Sequence, residues 1–241
     1  MQSQPCMGKL LGVLVSQCGV RPDRLRWAWI AGAVLSISFA VWVHRLGDPL
    51  LSLLFAAAAM LAYYLGNSLY LSRWSAGARG LEGDRAEREW RTYEMVVGLM
   101  FLNQALGFSA VTDIDLPGTR LPIDPVAAWT AGVAISIAGI VTKTWATMIV
   151  GVDCFYYRDL FFRRRVWCFS RRGPYALFAN PMYGVGNLHA YGLAIFSRSL
   201  LGLAVAVLCH ASIYAFHLLV ERPFVREALG SPEPRSTEPA Y

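Results

Sequence analysis

The sequence predicts an all-α fold, a polytopic membrane helical bundle of about six apolar helices that ends in a C-terminal helical hairpin. Hydrophobic residues make up 56% of the 241 residues, and a mean hydropathy of +0.41 is too high for an ordinary water-soluble domain. The apolar residues gather into runs of about 20, the length at which a helix crosses a bilayer. Basic and basic-poor connections alternate between these runs, as in proteins that cross a membrane several times.

The apolar runs follow one another in a simple order. Three strong runs cover residues 27–46, 49–71 and 126–150, and a weaker one covers 95–112. Residues 183–196 and 200–220 form a closely spaced pair, whose short first member is a half-span or a tilted arm. The mixed charges of residues 72–93 predict an interfacial helix. We expect residues 1–229 to form a single membrane-embedded domain and the proline-rich tail, 230–241, to be disordered.

Basic residues predict the orientation of these runs. Arginine and lysine near membrane ends remain on the cytosolic side. They precede the first run, separate the second from the third, and crowd the segment 158–172, whereas the Gly47–Asp48 turn and the loop 112–125 contain few. Both termini, the Arg-rich segment and the end of the last helix are therefore expected on the cytosolic side.

Charge and cysteine content exclude other classes of function. The net charge is +6, but no nucleic-acid recognition motif accompanies it, and the arginines of the segment 158–172 alternate with aromatic residues next to an apolar run. That pattern indicates anchoring to anionic lipid headgroups, so we expect no nucleic-acid partner. The five cysteines are scattered without metal-site spacing, so neither disulfides nor a metal site is predicted.

The last apolar run contains a polar stripe. His210, Tyr214, His217 and Glu221 follow one another at helical spacing on a segment that is otherwise apolar. Such residues either hydrogen-bond to neighbouring helices or face a functional cavity. For Glu221, a carboxylate at the predicted end of a membrane helix and close to Pro223, we favour the functional interpretation.

The shorter partner run shows a similar pattern. Tyr183, Asn187 and Tyr191 are spaced by four residues, and Asn180 followed by Pro181 is typical of an N-cap and a first helical turn. We therefore predict that this helix begins near Asn180. An ordinary capped helix with small residues for packing is the alternative interpretation.

Two further polar positions have two interpretations each. Lys143 shares a face of the fourth run with Gly139, and its side chain either snorkels to the cytosolic end or lines a site. Asp159 lies in an aromatic run, where it forms a local ion pair or takes part in the chemistry. The amides of Asn67, Asn103 and Gln104 are expected to hydrogen-bond between helices.

Several of these motifs, taken in order, resemble the phospholipid methyltransferase family. More narrowly, they are similar to phosphatidylethanolamine N-methyltransferases, and in particular to the fungal enzymes that transfer the first methyl group. The similar part spans roughly residues 139–229. The residues that carry the resemblance are Asn180-Pro181-Met182-Tyr183, Gly186, Tyr191-Gly192, Ala194, Glu221 and Pro223.

The resemblance implies a methyl donor, S-adenosylmethionine, bound between the last helices and the preceding span, with the headgroup amine of phosphatidylethanolamine as acceptor in phosphatidylcholine biosynthesis. Ile137 stands where the first glycine of a Gly-x-Gly is expected, and Arg222 stands where many members have a second glutamate. Endoplasmic reticulum membrane is the implied location in a eukaryote, and plasma membrane is the alternative. The implied donor-binding residues are Gly139, Asn180, Tyr183, Gly186, Tyr191, Glu221 and Arg222.

The chemistry of methyl transfer to an amine adds one requirement. An alkylamine is mostly protonated at neutral pH and must lose a proton before it attacks. Asp159, His189 or His217 could accept that proton, and the sequence leaves the three open. Two other functions are also left open: methylation of another acceptor, such as a prenylcysteine carboxylate, another lipid or a small amine, and a non-catalytic membrane adaptor.

Overall fold

The computed structural model describes residues 6–17, 20, 26–163 and 170–230. Over these residues the fold is helical, with one isolated β-bridge between Arg120 and Ser199, which confirms the predicted fold class. The helices are α1 (Cys6–Gln17), α2 (Trp27–Leu46), α3 (Pro49–Leu61), α4 (Asn67–Arg73), α5 (Gly83–Thr112), α6 (Pro125–Val150), α7 (Val152–Phe155), α8 (Arg158–Phe162), α9 (Leu188–Phe196), α10 (Leu200–Phe216) and α11 (Arg222–Gly230).

The chain is an integral membrane protein. Among the described residues, five helical stretches are long and apolar enough to cross a bilayer, and only 17–33% of each apolar window is buried within the chain. The apolar faces that remain are suited to lipid rather than to water. With the nine-residue α9 added, this agrees with the prediction of about six apolar helices. The five stretches are Trp27–Leu46, Pro49–Arg73, Gly83–Thr112, Pro125–Val150 and Leu200–Glu227.

Two predicted boundaries are wrong. Residues 83–93 do not form a separate interfacial helix but are the beginning of the 30-residue α5. The last helix does not end at Glu221, because a π-helical turn (His217–Glu221) leads directly into α11. Pro223 has no N–H to donate to the carbonyl of Leu219, and its ring would clash there in a regular helix, so a widened turn relieves both problems.

Some predictions fall outside the described residues. Residues 231–241, which make up nearly all of the predicted tail, and residues 164–169 of the Arg-rich segment belong to this group. So do Arg21 and Arg24 before the first span. Gly230, the first residue of the predicted tail, is helical.

Connections predicted on one side of the membrane lie together. Leu121 N donates to Arg198 O at 2.8 Å, and Leu200 N donates to Thr119 O at 2.8 Å, so the α5–α6 loop pairs with the α9–α10 turn. His44, at the end of α2, lies 3.2 Å from Asp113. All three connections therefore share one end of the bundle, as the distribution of basic residues predicts.

The amides inside the apolar helices join neighbouring helices. Tyr93 OH donates to Asn67 Oδ1 at 2.8 Å, and Gln104 Nε2 donates to Tyr64 OH at 2.9 Å. Asn103 Nδ2 bonds both Ser36 Oγ and the carbonyl one turn back in its own helix. The prediction that these amides form interhelical hydrogen bonds is confirmed.

Helices α6 and α9 touch backbone to backbone. A Cβ added to Gly139 would lie 2.4 Å from His189 N, and one added to Gly192 would lie 2.5 Å from Ser136 N. Gly132 is equally close to Phe196 N, at 2.6 Å. Small residues at these crossings allow the close approach that stabilises helix pairs in membranes. This contact fixes the short helix α9 against the long span α6.

The segment between α7 and α8 is braced by Arg158. Its guanidinium lies 2.7 Å from Glu87 and 3.1 Å from Asp153, and it stacks 5.5 Å from the Trp90 ring and 5.4 Å from the Phe162 ring. The side chain is only 21% exposed. A planar, two-sided ion pair of this kind is stronger than a single exposed pair.

We expect Arg158→Lys to lower the free energy of unfolding by about 1–2 kcal/mol, because lysine keeps the charge but loses the fork and the stacking. Thermal unfolding of the detergent-solubilised protein measures this. Arg85→Lys is the matched control, since Arg85 is 70% exposed and lies 4.0 Å from its partner Glu89. Equal losses in the two variants would contradict the bracing role of Arg158.

Candidate functional site

A cavity of about 600 Å³ lies between α5, α6 and the turn that joins α3 to α4 on one side and α9, α10 and α11 on the other. This volume suits a small-molecule ligand. Glu221, Arg222, Arg226 and Tyr175 line one end, which lies toward the predicted cytosolic side. The other end is apolar and reaches into the bundle, where Ala105, Phe108, Ala190, Leu193 and Ile213 line it.

The segment before α9 does not follow the sequence prediction. The α-helix begins at Leu188 after a 3₁₀ turn (Val185–Asn187), so the predicted start near Asn180 is wrong. Asn180 Oδ1 does accept a hydrogen bond from Tyr183 N at 3.3 Å, but this closes an isolated turn. Gly186 explains the delay: a Cβ there would lie 2.9 Å from Pro181 O and 3.1 Å from Lys143 Cβ, so the chain needs glycine where helix propensity is lowest.

Three tyrosines form one wall of the cavity. Tyr157 lies near both Tyr63 and Tyr183, and all three residues line the cavity. Burial and the nearby Glu221 carboxylate raise the pKa of Tyr183 well above its usual value. Tyr183 is therefore a neutral phenol at physiological pH, and its ring presents an electron-rich face.

Glu221 is paired with His217 inside the π-helical turn that precedes α11. His217 Nδ1 lies 2.7 Å from Glu221 Oε2, and the His217 ring meets the Tyr183 ring edge to face at 5.8 Å between centroids. Through His217, the turn before α9 and the end of the last span thus meet at one point. In the part of the chain that the structure describes, Glu221 is the only carboxylate lining the cavity.

Another π-helical turn, formed by Ala62–Gly66, faces the cavity from the opposite side. Consecutive residues of a regular helix point about 100° apart, yet Tyr63 and Tyr64 both line the cavity, and their rings lie 5.0 Å apart. The extra residue of a π-turn makes this possible, and such turns occur frequently at functional sites.

Six of the ten predicted site residues line the cavity, namely Asn180, Tyr183, His189, His217, Glu221 and Arg222. The other four lie elsewhere. Gly139 and Gly186 sit at backbone contacts of α6, and Tyr191 OH lies 2.9 Å from His210 Nδ1, so this pair links α9 to α10. Asp159 is half-buried in α8 and is not among the lining residues.

Several lining residues were not predicted as site residues. Tyr63, Tyr64, Phe101, Gln104 and Tyr157 come from parts of the chain far from the family motifs. The only sequence signal was the aromatic run around Tyr157 and the intramembrane amide of Gln104. Lys143 also lines the cavity, as one of the two interpretations of this residue predicts.

The arrangement is suited to an organic cation beside an anion. A single carboxylate, several electron-rich rings and two arginines meet at one end, and the remainder of the cavity is apolar. Aromatic faces attract organic cations, and a carboxylate completes the recognition. Arginine forks pair with carboxylates or phosphates.

Comparison with known proteins identifies one matching family and several fungal relatives. Residues 127–231 match the model of the phospholipid methyltransferase family. The phosphatidylethanolamine N-methyltransferase of Emericella nidulans is 26% identical over 149 residues, which cover 61% of this chain and 15% of that protein. The enzyme of the same name from Ajellomyces capsulatus strain H143 is 30% identical over 108 residues, 44% of this chain and 11% of that protein.

The Neurospora crassa enzyme with the same printed name is also 26% identical over 61% of the chain. This chain thus spans only about 15% of the length of these fungal proteins, and no solved structure matches it significantly. The family match covers α6 to the end of α11, the part that supplies Lys143, Tyr183, His217 and Glu221. The resemblance that the sequence motifs indicate is therefore confirmed: residues 127–231 match the phospholipid methyltransferase family.

Proposed function

We propose that this protein transfers a methyl group from S-adenosylmethionine to the headgroup amine of phosphatidylethanolamine, a step of phosphatidylcholine biosynthesis, in the endoplasmic reticulum membrane of a eukaryote. One observation carries the proposal: the family-matched region contributes a carboxylate, aromatic rings and arginines to one end of a cavity whose other end is apolar. A charged donor and a lipid acceptor need these two environments in one space.

The lining residues fit the chemical groups of the donor. When bound, S-adenosylmethionine supplies an activated methyl group on a sulfonium cation. The Tyr183 and Tyr157 rings give that cation electron-rich neighbours, and the Glu221 carboxylate accepts hydrogen bonds from an ammonium or a ribose hydroxyl. Arg222 and Arg226 pair with the carboxylate of the donor. Catalysis then rests on alignment of the acceptor nitrogen with the methyl group in a water-poor cavity.

The acceptor amine must lose its proton before transfer. Of the three candidate bases, His189 and His217 line the cavity, so we assign the proton acceptor to this pair rather than to Asp159. His217 is held by Glu221 through Nδ1, which leaves its Nε2 for a proton. His189 Nδ1 lies 2.8 Å from Gly186 O, so its Nε2 is likewise the nitrogen left for the substrate.

An assay with radiolabelled donor, purified protein and dioleoylphosphatidylethanolamine vesicles tests the proposal. We expect labelled N-methylated phosphatidylethanolamine, with much less product from prenylcysteine or from free ethanolamine offered side by side. A folded protein that binds the donor but labels another acceptor would overturn the assignment of the substrate. A folded protein that neither binds the donor nor makes product would point to an adaptor.

A further inference from the structure

Lys143 contributes a positive charge to the cavity from within the membrane span α6. It lies seven residues before the end of α6, about 10 Å along the helix axis from that end. Its Nζ lies 5.5 Å from the centre of the Phe101 ring and 5.7 Å from that of Phe155. A charged side chain on a membrane span is costly and is retained where it faces a functional cavity.

A second hydrogen-bond donor lies beside Lys143. The backbone of Gly186 packs directly on the Lys143 stem, and the next residue, Asn187, also lines the cavity. Asn187 Nδ2 is buried and has no hydrogen-bond partner among the described residues. A buried amide without a partner is unfavourable unless a ligand supplies the acceptor. The ammonium and the amide together favour an anionic ligand group with several oxygens.

The cavity thus has charges of opposite sign in two places. Glu221 lies on the last span together with His217, whereas Lys143 lies on α6 beside the α9 entry turn. A donor cation is stabilised near Glu221 and repelled near Lys143. Beyond Lys143, the apolar residues Ala105, Phe108 and Leu193 line the cavity, and these suit an acyl chain. From the predicted cytosolic end inward, the cavity therefore presents the Glu221 carboxylate, then the Lys143 ammonium, and then these apolar residues, which we call the apolar arm.

We propose that Lys143, with Asn187, binds the phosphate of the acceptor lipid, so that the ethanolamine arm extends toward Glu221 and an acyl chain enters the apolar arm. This inference rests on the proposed function and makes the acceptor a glycerophospholipid rather than a free or phosphate-free amine. Lys143 acts as a substrate-binding and specificity residue. An ammonium on a flexible stem suits a phosphate as a point charge.

The rival site for the phosphate is the pair Arg222 and Arg226. These arginines lie one turn apart on α11, both are exposed, and we assign them to the carboxylate of the donor. The two assignments make opposite kinetic predictions. Removing Lys143 should weaken acceptor binding alone, and removing Arg226 should weaken donor binding alone.

The test compares Lys143→Gln, Lys143→Arg and Arg226→Gln in the full chain, in mixed micelles with varied phosphatidylethanolamine or with a long-chain primary amine that lacks phosphate. For Lys143→Gln we expect at least a tenfold higher KM for phosphatidylethanolamine, a donor KM within twofold of the wild type, and an unchanged rate with the phosphate-free amine. Lys143→Arg should restore the KM to within about threefold. Arg226→Gln should raise the donor KM instead.

The inference is overturned if Lys143→Gln leaves the phosphatidylethanolamine KM within twofold of the wild type, or if it raises the donor KM by the same factor. Native mass spectrometry measures lipid binding without turnover. The wild type should bind dioleoylphosphatidylethanolamine in preference to dioleoylglycerol, and the Lys143→Gln variant should lose that preference. If the wild type makes no methylated lipid but shows this preference, the proposed function fails and the phosphate site stands. If the wild type makes methylated lipid but shows no preference for dioleoylphosphatidylethanolamine over dioleoylglycerol, the proposed function stands and the phosphate site fails.

Discussion

Replacing Glu221 with glutamine is expected to lower kcat/KM for methyl transfer by about 100-fold and to weaken donor binding by a similar factor. Glutamine keeps the size of the side chain and removes the only carboxylate that lines the cavity in the described part of the chain. His217 would also lose the partner that orients its ring. The rate is measured with labelled donor, and donor affinity is measured by calorimetry with S-adenosylhomocysteine.

Glu227→Gln is the matched control for this variant. Glu227 lies six residues further on, is exposed, and does not line the cavity, so its replacement should leave the rate within about twofold of the wild type. An active Glu221→Gln variant with unchanged donor affinity would remove Glu221 from the site. A loss of equal size in both variants would indicate a general effect of charge on this helix.

The second large effect is expected for Gly139→Ala. The added Cβ would lie 2.4 Å from His189 N, so α9 must move away from α6, and the cavity wall that includes Asn187 and His189 moves with it. We expect the free energy of unfolding to fall by about 1–3 kcal/mol and activity to fall at least tenfold. Thermal unfolding and the labelled-donor assay measure the two effects.

Gly66→Ala makes the same change at a helical glycine where an added Cβ would meet no other helix or side chain within 4 Å, its chain neighbours aside. It should leave stability unchanged or slightly raised, because alanine restricts the unfolded chain. The family resemblance assigns Gly139 to the donor site, whereas the structure gives it a packing role. Normal stability with a loss of donor binding alone in Gly139→Ala would support the donor-contact role and contradict the packing account.

Apolar periodicity predicts the long helices well, because bilayer thickness fixes their length. The run 27–46 has the same bounds as α2, and the run 126–150 starts one residue inside α6. The interhelical hydrogen bonds of Asn67, Asn103 and Gln104 follow from the same physics, since an amide in lipid must find a partner.

Local rules fail where tertiary contact overrides them. Asn180 with Pro181 has the pattern of a helix start, but close packing of Gly186 on α6 keeps the chain in turns until Leu188. Pro223 suggests a helix end, but a π-turn absorbs it and the helix continues to Gly230. In both places a widened or delayed helix shapes the cavity, and neither feature has a sequence pattern of its own.

Only part of the candidate site can be predicted from the sequence, because tertiary contacts also decide which residues line the cavity. Motifs close together in sequence identify Tyr183, His217 and Glu221, which line one cavity. Tyr63, Tyr64 and Tyr157 reach that cavity through long-range packing and a π-turn, so periodicity cannot find them. Spacing also groups Gly139 and Tyr191 with the site. In the structure, however, Gly139 packs against α9 and Tyr191 contacts His210 on α10.

A structure of the protein with S-adenosylhomocysteine bound tests the central claim most directly, namely that this cavity holds the methyl donor beside the acceptor lipid. The account predicts the ligand in the cavity, with a polar group of the ligand within hydrogen-bond distance of Glu221 and with its sulfur beside the Tyr183 ring. Ligand bound elsewhere, or a cavity that holds only lipid at saturating ligand, would contradict it.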